Sequence, residues 1–567
     1  MTVPATETRP ADVGLKREMG LIGATWASET SIIGSGWLFG SYFAANAIGS
    51  AALICWVIAG IAVIILALIH AELGGMYPVS GGTARFPHFA FGSIAGISFG
   101  FFSWLQAVTV APIECYAVMQ YGQYWFNSSS FTIFNTTTGK ITTTGFILTI
   151  VLMAVFTAIN FLAMRLFNLV NSTITWWKVA IPVLTIIVLL FKFHPHNFSA
   201  DGGFIPKGVT WQDIFAAIPG AGIEFAYLGF EQADQLAGEI KDPQRNLPRA
   251  IMLAVGIGIA IYVLLQVVFI GAMDPAVLAA HGGFLGLSCP SSGPCNTAVS
   301  DIVSGPFAAV AGLAGLGFLA VLLRIDAFVS PFGTGLIYQT STSRVGYGLA
   351  RNRYYPQIFQ RVDANGVPWV SLIFAFLFGL VFLLPFPSWH SLVGLVTSAS
   401  VLMYAGAPLS LGAFRRTVPD ADRPYRMPGA SVLAPVGFII ANLIIYWSGF
   451  LVIWKLGFVL IIGYVIIGIF MAYDKERPPL DWKSAQWLPV YLVGMGIISW
   501  LGQFSGTSEK HPVPPTNSGL IPFWWDMVVV ALFSLAIFYW AMYTRLSRDE
   551  MLNLVERQSG PVERTGH

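Results

Sequence analysis

Charge is what this chain has least of. Only 10% of its 567 residues are Asp, Glu, Lys or Arg, against 55% hydrophobic, and a mean hydropathy of +0.69 does not fit a surface exposed to water. A string of soluble domains is thereby excluded in favour of one polytopic membrane domain. The formal charge of +2 is near neutral for this size, so no nucleic-acid partner is implied. Cysteine is also scarce, with four residues. Cys55 and Cys115 lie in apolar runs and read as ordinary buried side chains, while Cys289 and Cys295 sit in CPSSGPC, where a disulfide forms if the compartment is oxidising. No phosphate-binding glycine loop, HExxH, GxSxG or clustered Cys/His ligand set is present, so no enzyme, cofactor, catalytic site or metal site is expected. His194 and His196 in FHPHNF are two exposed histidines without further ligands. Asn127, Asn135 and Asn197 match the glycosylation pattern by spelling only. No cleavable signal is expected, since Arg9 to Gly20 is polar and the first apolar run is too long for one.

Long apolar runs are what the chain does have. Segments of about 17 to 25 residues suit a membrane-spanning helix, and roughly fourteen such spans begin near Leu21, Ala51, Phe89, Gly145, Ile174, Asp213, Ala250, Pro306, Pro368, Ser388, Ser431, Leu456, Gln486 and Ile521. With a cytoplasmic amino terminus, the inner loops collect Arg9, Lys16 and Arg17 at the start, clusters around Arg245, Arg351, Arg415 and Lys475, and Arg545 onward. The outer loops keep Lys140, Lys192, Lys207, Lys455 and Lys510. That is roughly 23 basic residues inside against about 5 outside, a strong positive-inside asymmetry. Residues 1–20 and 546–567 are accordingly expected as cytoplasmic tails of an integral membrane protein, of the inner membrane in a bacterium.

Within the first run, Leu21 to Ala47, the helix is interrupted by Gly34-Ser35-Gly36. Backbone groups freed inside lipid are tolerated only where they line a protected cavity. The sixth span carries a second interruption, from Phe225, Ala226, Tyr227, Leu228 and Gly229 into Glu231-Gln232-Ala233-Asp234. Glycines in membrane helices also serve close packing, but first and sixth spans are corresponding members of two five-helix halves in an inverted repeat. A half-helix starting after the first break offers free N–H groups and a positive dipole end to a carboxylate, while free carbonyls around Phe225, Ala226 and Tyr227 suit an ammonium group. Together they suit a zwitterion. The predicted substrate-binding set is Ser31, Ile33, Gly34, Ser35, Gly36, Phe225, Ala226, Tyr227 and Gly229, with Phe225 and Tyr227 read either as a gate or as core packing.

Coupling needs a group that changes charge inside the membrane, and Lys178 is the leading candidate. A charged lysine in the bilayer interior costs at least a few kcal/mol, so it faces the bundle or a cavity and is suited to exchanging a proton. Asn171, Thr175 and Lys178 recur at helical spacing on one face. The alternative reading of Lys178 is a static counter-ion. Other intramembrane charges, Glu29, Glu114, Glu224, Glu231, Arg324 and Asp326, are candidate charge partners or selectivity groups. Asp326 shares a face with Ser330 and Thr334, a polar stripe directed at the first break. Arg324 is expected to pair with Glu114 or with a substrate side-chain carboxylate. His70, Glu72 and Tyr77 to Arg85 read as an interfacial turn fixed by Glu72, and Glu239, Asp242, Arg245 and Arg249 as an inner ion-pair network.

Six motifs stand in one order: IIGSGWLFG at 32–40, HAELGGMYPVSGGTARF at 70–86, FAYLGFEQADQLAGEIKDPQRNLPRA at 225–250, TSTSRVGYGLARNRYYP at 340–356, GVPWVS at 366–371 and RPYRMPG at 423–429. On these the chain resembles the amino acid/polyamine/organocation (APC) transporters. The resemblance implies an all-α five-plus-five inverted-repeat core, residues 21–430, with discontinuous first and sixth helices and alternating access. It further implies proton symport of an amino acid, with acidic amino acids first, and places Lys178 where proton-coupled members carry a fifth-helix lysine in the position of a sodium ion. Residues 431–545 would then hold four additional helices, two beyond the common pattern. Trp37 departs from the smaller aliphatic residue usual there and is expected to narrow the pocket. The implied partners are an amino acid, a proton and the lipid bilayer. An exchanger or polyamine importer of the same fold is the alternative, and a membrane amino-acid sensor a further one.

Overall fold

The first helix runs for only 12 residues, α1 at Leu21–Ile32. Ile33 and Gly34 then leave helical geometry, and α2 runs from Ser35 to Ile48. The computed structural model describes residues 17–128, 130–135, 140–161, 164–290, 295–383, 389–474, 477–506 and 516–557. The expected tails therefore lie partly outside the described residues, as do Arg9, Lys16, Lys475, Lys510 and the Arg165 side chain. Next come α3 at Ala52–Met76, the short α4 at Gly82–Phe91, and α5 at Ser93–Phe126. A two-residue ribbon pairs Phe134–Asn135 with Lys140–Ile141 before α6 at Thr143–Asn160 and α7 at Met164–Leu190.

The sixth span is in three pieces: α8 at Trp211–Gly220, α9 at Ile223–Tyr227 and α10 at Gln232–Gln235. After α11 at Pro243–Ala272, a long connection carries α12 at Pro275–His281, α13 at Thr297–Ser304 and α14 at Pro306–Leu313, with Cys289 and Cys295 joined by a disulfide. The remaining long helices are α15 at Gly317–Arg351, α16 at Trp369–Leu383, α17 at Trp389–Thr417, α18 at Ala430–Trp447 and α19 at Phe450–Tyr473. The chain ends with α20 at Trp482–Ala485, α21 at Trp487–Leu501, α22 at Trp525–Thr544 and α23 at Arg548–Arg557.

Among the described residues, 11 helical stretches are long and apolar enough to cross a membrane, where fourteen spans were expected. The difference has physical causes. The second half of the first span joins α3 in one apolar stretch, Ser35–Met76. The sixth span is broken too often to count, and α16 is short. Burial separates inside from outside. α5 packs along α15, and α3 along α11, with α1 between α7, α11 and α15. α19 instead exposes Trp454, Phe458, Ile461, Ile462, Val465 and Ile469, a stripe that lipid covers and water would not.

One end of the bundle is tied by ion pairs. Glu239 meets Arg344 at 2.8 Å, His70 meets Asp234 at 2.9 Å, and Glu72 meets Arg415 at 2.6 Å and Arg423 at 3.1 Å. These revise two expectations. Glu72 fastens the α17–α18 connection, where it also accepts the Met427 N–H at 2.7 Å, rather than the local turn. Glu239 pairs across the bundle with Arg344 rather than with its sequence neighbours. In both cases the acid sits at a helix end, and the nearest base is supplied by packing rather than by adjacency.

Candidate functional site

The first turn of a helix has N–H groups without intrahelical acceptors. At α2 the first of them belongs to Ser35, and it donates to Glu114 Oε2 at 2.9 Å. The Ser35 hydroxyl donates to Glu114 Oε1 at 3.0 Å and accepts from Trp389 Nε1 at 2.7 Å. A buried carboxylate from α5 therefore caps the positive end of α2. Because that cap is ready at Ser35, helical geometry resumes there, and the discontinuity is Ile33–Gly34 rather than the whole Gly34-Ser35-Gly36 run. Gly34 must be glycine: a Cβ would lie 2.7 Å from Thr334 Oγ1 and 2.8 Å from Glu114 Oε1.

The carbonyl end of α1 is met by the opposite charge. Lys178 Nζ, wholly buried, donates to Thr30 O at 2.6 Å and to Thr334 Oγ1 at 2.7 Å. The Thr334 hydroxyl in turn donates to Thr30 O at 2.6 Å, and the Tyr262 hydroxyl donates to Ile32 O at 2.5 Å. Thr30 and Thr175 share a further hydrogen bond. An ammonium at the negative end of one half-helix and a carboxylate at the positive end of the next is the pairing that the dipoles favour. The protein thus fills the break with a carboxyl and an amine, the two groups an amino acid carries.

The sixth span bends twice. Gly222, at φ 81°, separates α8 from α9, and Gly229, at φ 120°, follows the extended Leu228. The Gly229 N–H donates to Glu231 Oε2 at 2.9 Å, and the Tyr404 hydroxyl donates to the same oxygen at 2.7 Å. The two broken spans touch through small residues. A Cβ on Gly36 would lie 2.8 Å from Ala226 Cα, and one on Gly229 would lie 2.8 Å from Ile32 N. Between them is a cavity of about 10 Å³, room for about one water. Anything larger than a water enters only after the two spans separate.

Of the predicted binding residues, Ser31, Gly34, Gly36 and Phe225 line this cavity, with Glu114 and Thr334. Ser35 and Ala226 stand one layer behind, and Ile33 is buried. Tyr227 points elsewhere, its hydroxyl on Trp56 O at 3.1 Å and its ring against Trp56 and Tyr262. Trp37 packs on Phe307 at 5.4 Å and does not line the cavity. Asp326 takes hydrogen bonds from Ser330 at 2.8 Å and Trp177 Nε1 at 2.8 Å. Both oxygens of Glu29 and of Glu224 are buried without a hydrogen-bond partner among the described residues. Arg324 is on the flank of the bundle, its guanidinium 3.4 Å from the Tyr124 ring centre; Glu114, its expected partner, is held by Ser35 instead. Among the described residues no group of three His, Cys, Asp or Glu is placed to hold a metal.

Sequence reading missed Trp389, Tyr338, Val110 and Tyr262. Trp389 stands at the start of the span expected from Ser388, yet its indole N–H reaches the Ser35 hydroxyl and its ring lies 5.7 Å from Phe225 and 5.0 Å from Phe39.

A family model described as amino acid permease matches residues 19–470. A glutamate/serine transporter of Bacillus subtilis is 34% identical over 534 residues, covering 93% of this chain and 94% of that protein. An aspartate-proton symporter of the same organism is 35% identical over 541 residues, covering 94% and 97%. A gamma-aminobutyric acid permease, again from Bacillus subtilis, is 27% identical over 377 residues, 64% of this chain and 70% of that one.

Proposed function

Because the chain belongs to the amino acid permease family and is an integral plasma-membrane transporter rather than an enzyme, we propose that it imports an acidic amino acid by proton symport. The observation that carries this reading is the occupation of the first break by Glu114 and Lys178. A substrate α-carboxylate seeking the N–H groups of Ser35 and Gly36 meets the Glu114 carboxylate already there. Two carboxylates at one site repel strongly, so both are accommodated when a proton arrives with the substrate. Glu114 takes that proton as it leaves Ser35. Lys178, which holds the Thr30 carbonyl and lies in the field of Glu114, Asp326 and Glu29, is the group through which that proton passes, bound together with the substrate and given up when the site empties on the cytoplasmic side. Carbonyls of α9 receive the substrate ammonium, with Phe225 and Trp389 closing over it.

The names of the two relatives near 35% identity support acidic substrates and a proton as the coupling ion. The distribution of Lys and Arg supports cytoplasmic termini in a bacterial inner membrane, with the Glu239–Arg344 pair on the cytoplasmic side. Residues 21–430 form the transport core in this reading, and 431–545 four added helices. A second reading, a polyamine importer or amino acid/polyamine exchanger, draws on the unpartnered Glu29 and Glu224, which suit a cation.

The test is uptake into proteoliposomes of labelled aspartate, glutamate, serine and putrescine, with an inside-alkaline pH gradient, with and without sodium. Gradient-driven, sodium-independent uptake of aspartate or glutamate is expected. Uptake indifferent to the gradient, or a preference for putrescine, overturns acidic proton symport.

A further inference from the structure

A second cavity, of about 580 Å³, lies away from the transport site, between the end of α17, the start of α18 and the last turns of α22. Its size falls in the range of about 300–1,000 Å³ typical of sites for whole small molecules. One wall is cationic, with Arg415, Arg416 and Arg426. Arg415 is paired with Glu72 at 2.6 Å, a carboxylate it shares with Arg423. Arg416 donates to the Gly412 carbonyl at 3.0 Å, and neither Arg416 nor Arg426 has an acidic partner among the described residues. Arg545 stands near Arg416 and is likewise engaged by neutral groups, the Thr417 hydroxyl at 3.2 Å and the Met542 carbonyl at 2.5 Å. The facing wall is apolar, with Ala434, Pro435 and Phe538.

Three membrane-length helices end at this cavity, so it straddles the boundary between hydrocarbon and water. A soluble anion has no use for the apolar wall, and a neutral lipid has none for two uncompensated guanidiniums. A molecule with an anionic head and an apolar tail uses both. We infer that this cavity binds an anionic glycerophospholipid, its phosphodiester between Arg416 and Arg426 and its chains along Pro435 and Phe538. The lipid then bridges the end of α17, in the transport core, and α22, and it holds whichever substrate the transporter carries.

Native mass spectrometry of the full-length protein, reconstituted in nanodiscs with equal phosphatidylglycerol and phosphatidylcholine, reads the preference directly. The unaltered protein retains phosphatidylglycerol, and Arg416→Gln and Arg426→Gln each weaken the preference about fivefold. Ser431→Asp places a negative charge at the mouth of the cavity and in the first turn of α18, where an acid suits the helix, so it keeps the fold and loses the preference. Arg548→Gln, an exposed arginine paired with Asp420 at 2.8 Å, leaves retention unchanged. Undiminished retention in the Arg416→Gln/Arg426→Gln double variant overturns the site, and equal loss in Arg548→Gln reduces it to general surface charge. If inorganic phosphate protects the delipidated protein from heat as well as phosphatidylglycerol does, the ligand is a free anion and the lipid assignment fails.

Discussion

At the first break the freed backbone groups are met by side chains from α5, α7, α11 and α15, whereas at the sixth the Gly229 N–H is met by Glu231, two residues further along the same chain. A cap carried by its own segment moves with that segment. A cap lent by four other helices is released when those helices shift. The sixth break is therefore built to persist through a conformational cycle, and the first to exchange its partners, which is where the proposed mechanism has a substrate and a proton compete for the same atoms.

Lys178→Ala probes the first break hardest. It leaves Glu29, Glu114 and Asp326 without their cation, and breaking a buried charge pair removes about 3–5 kcal/mol, so gradient-driven uptake is expected to fall more than about a hundredfold. Sodium-independent uptake that still follows the pH gradient in this variant would sink the coupling role and leave Lys178 a static counter-ion. Glu114→Gln is next. A charged acceptor bonds about twice as strongly as a neutral one, so the amide yields Ser35 more readily: KM for aspartate falls, by about tenfold, and uptake loses its dependence on pH. A purely structural Glu114 would instead lower turnover with the pH profile unchanged.

Glu231→Gln sharpens the contrast from the other side. It weakens the acceptor for Gly229 N–H and the Tyr404 hydroxyl, a loss of about 1–3 kcal/mol, seen as a lower Tm with pH dependence of uptake intact. A changed pH profile there would erase the distinction between the breaks. The smallest effect belongs far from both. The guanidinium of Arg548 holds the exposed Asp420 carboxyl below its ordinary range. Such a contribution is present above the unfolded pKa, about 3.9, and fades as pH falls through the lower folded value. The contribution is therefore fully present at pH 5 to 8, but because the pair is exposed, Asp420→Asn is expected to leave Tm unchanged within error there; a measurable drop would show that this surface pair matters more than exposed pairs generally do.

Much of this was legible in the residues. Gly34 and Gly36 announced the first break, and helical spacing put Thr175 and Lys178 on one inward face, as their hydrogen bonds to Thr30 bear out. What was hidden is whatever depends on contact between distant segments. Glu114 and Ser35 are 79 residues apart, and nothing local marks a glutamate as another helix's cap. Trp389 lies 354 residues from the hydroxyl it bonds. The bend at Gly222 was locally visible in IPGAGIEF, where proline and two glycines cluster, but the polar run after Gly229 drew the reading away from it. The two span counts differ for a related reason: a count by length and apolarity needs continuity, and a segment broken to serve a site loses the continuity by which spans are recognised.

An exposed half-helix start attracts any small anion, chloride above all, given its abundance outside cells. With Glu114 seated on Ser35, the vacant carrier offers chloride no such berth. The carboxylate that the substrate displaces in the proposed mechanism therefore also guards against slippage, since an empty transporter that carried stray ions across would dissipate the gradient it runs on.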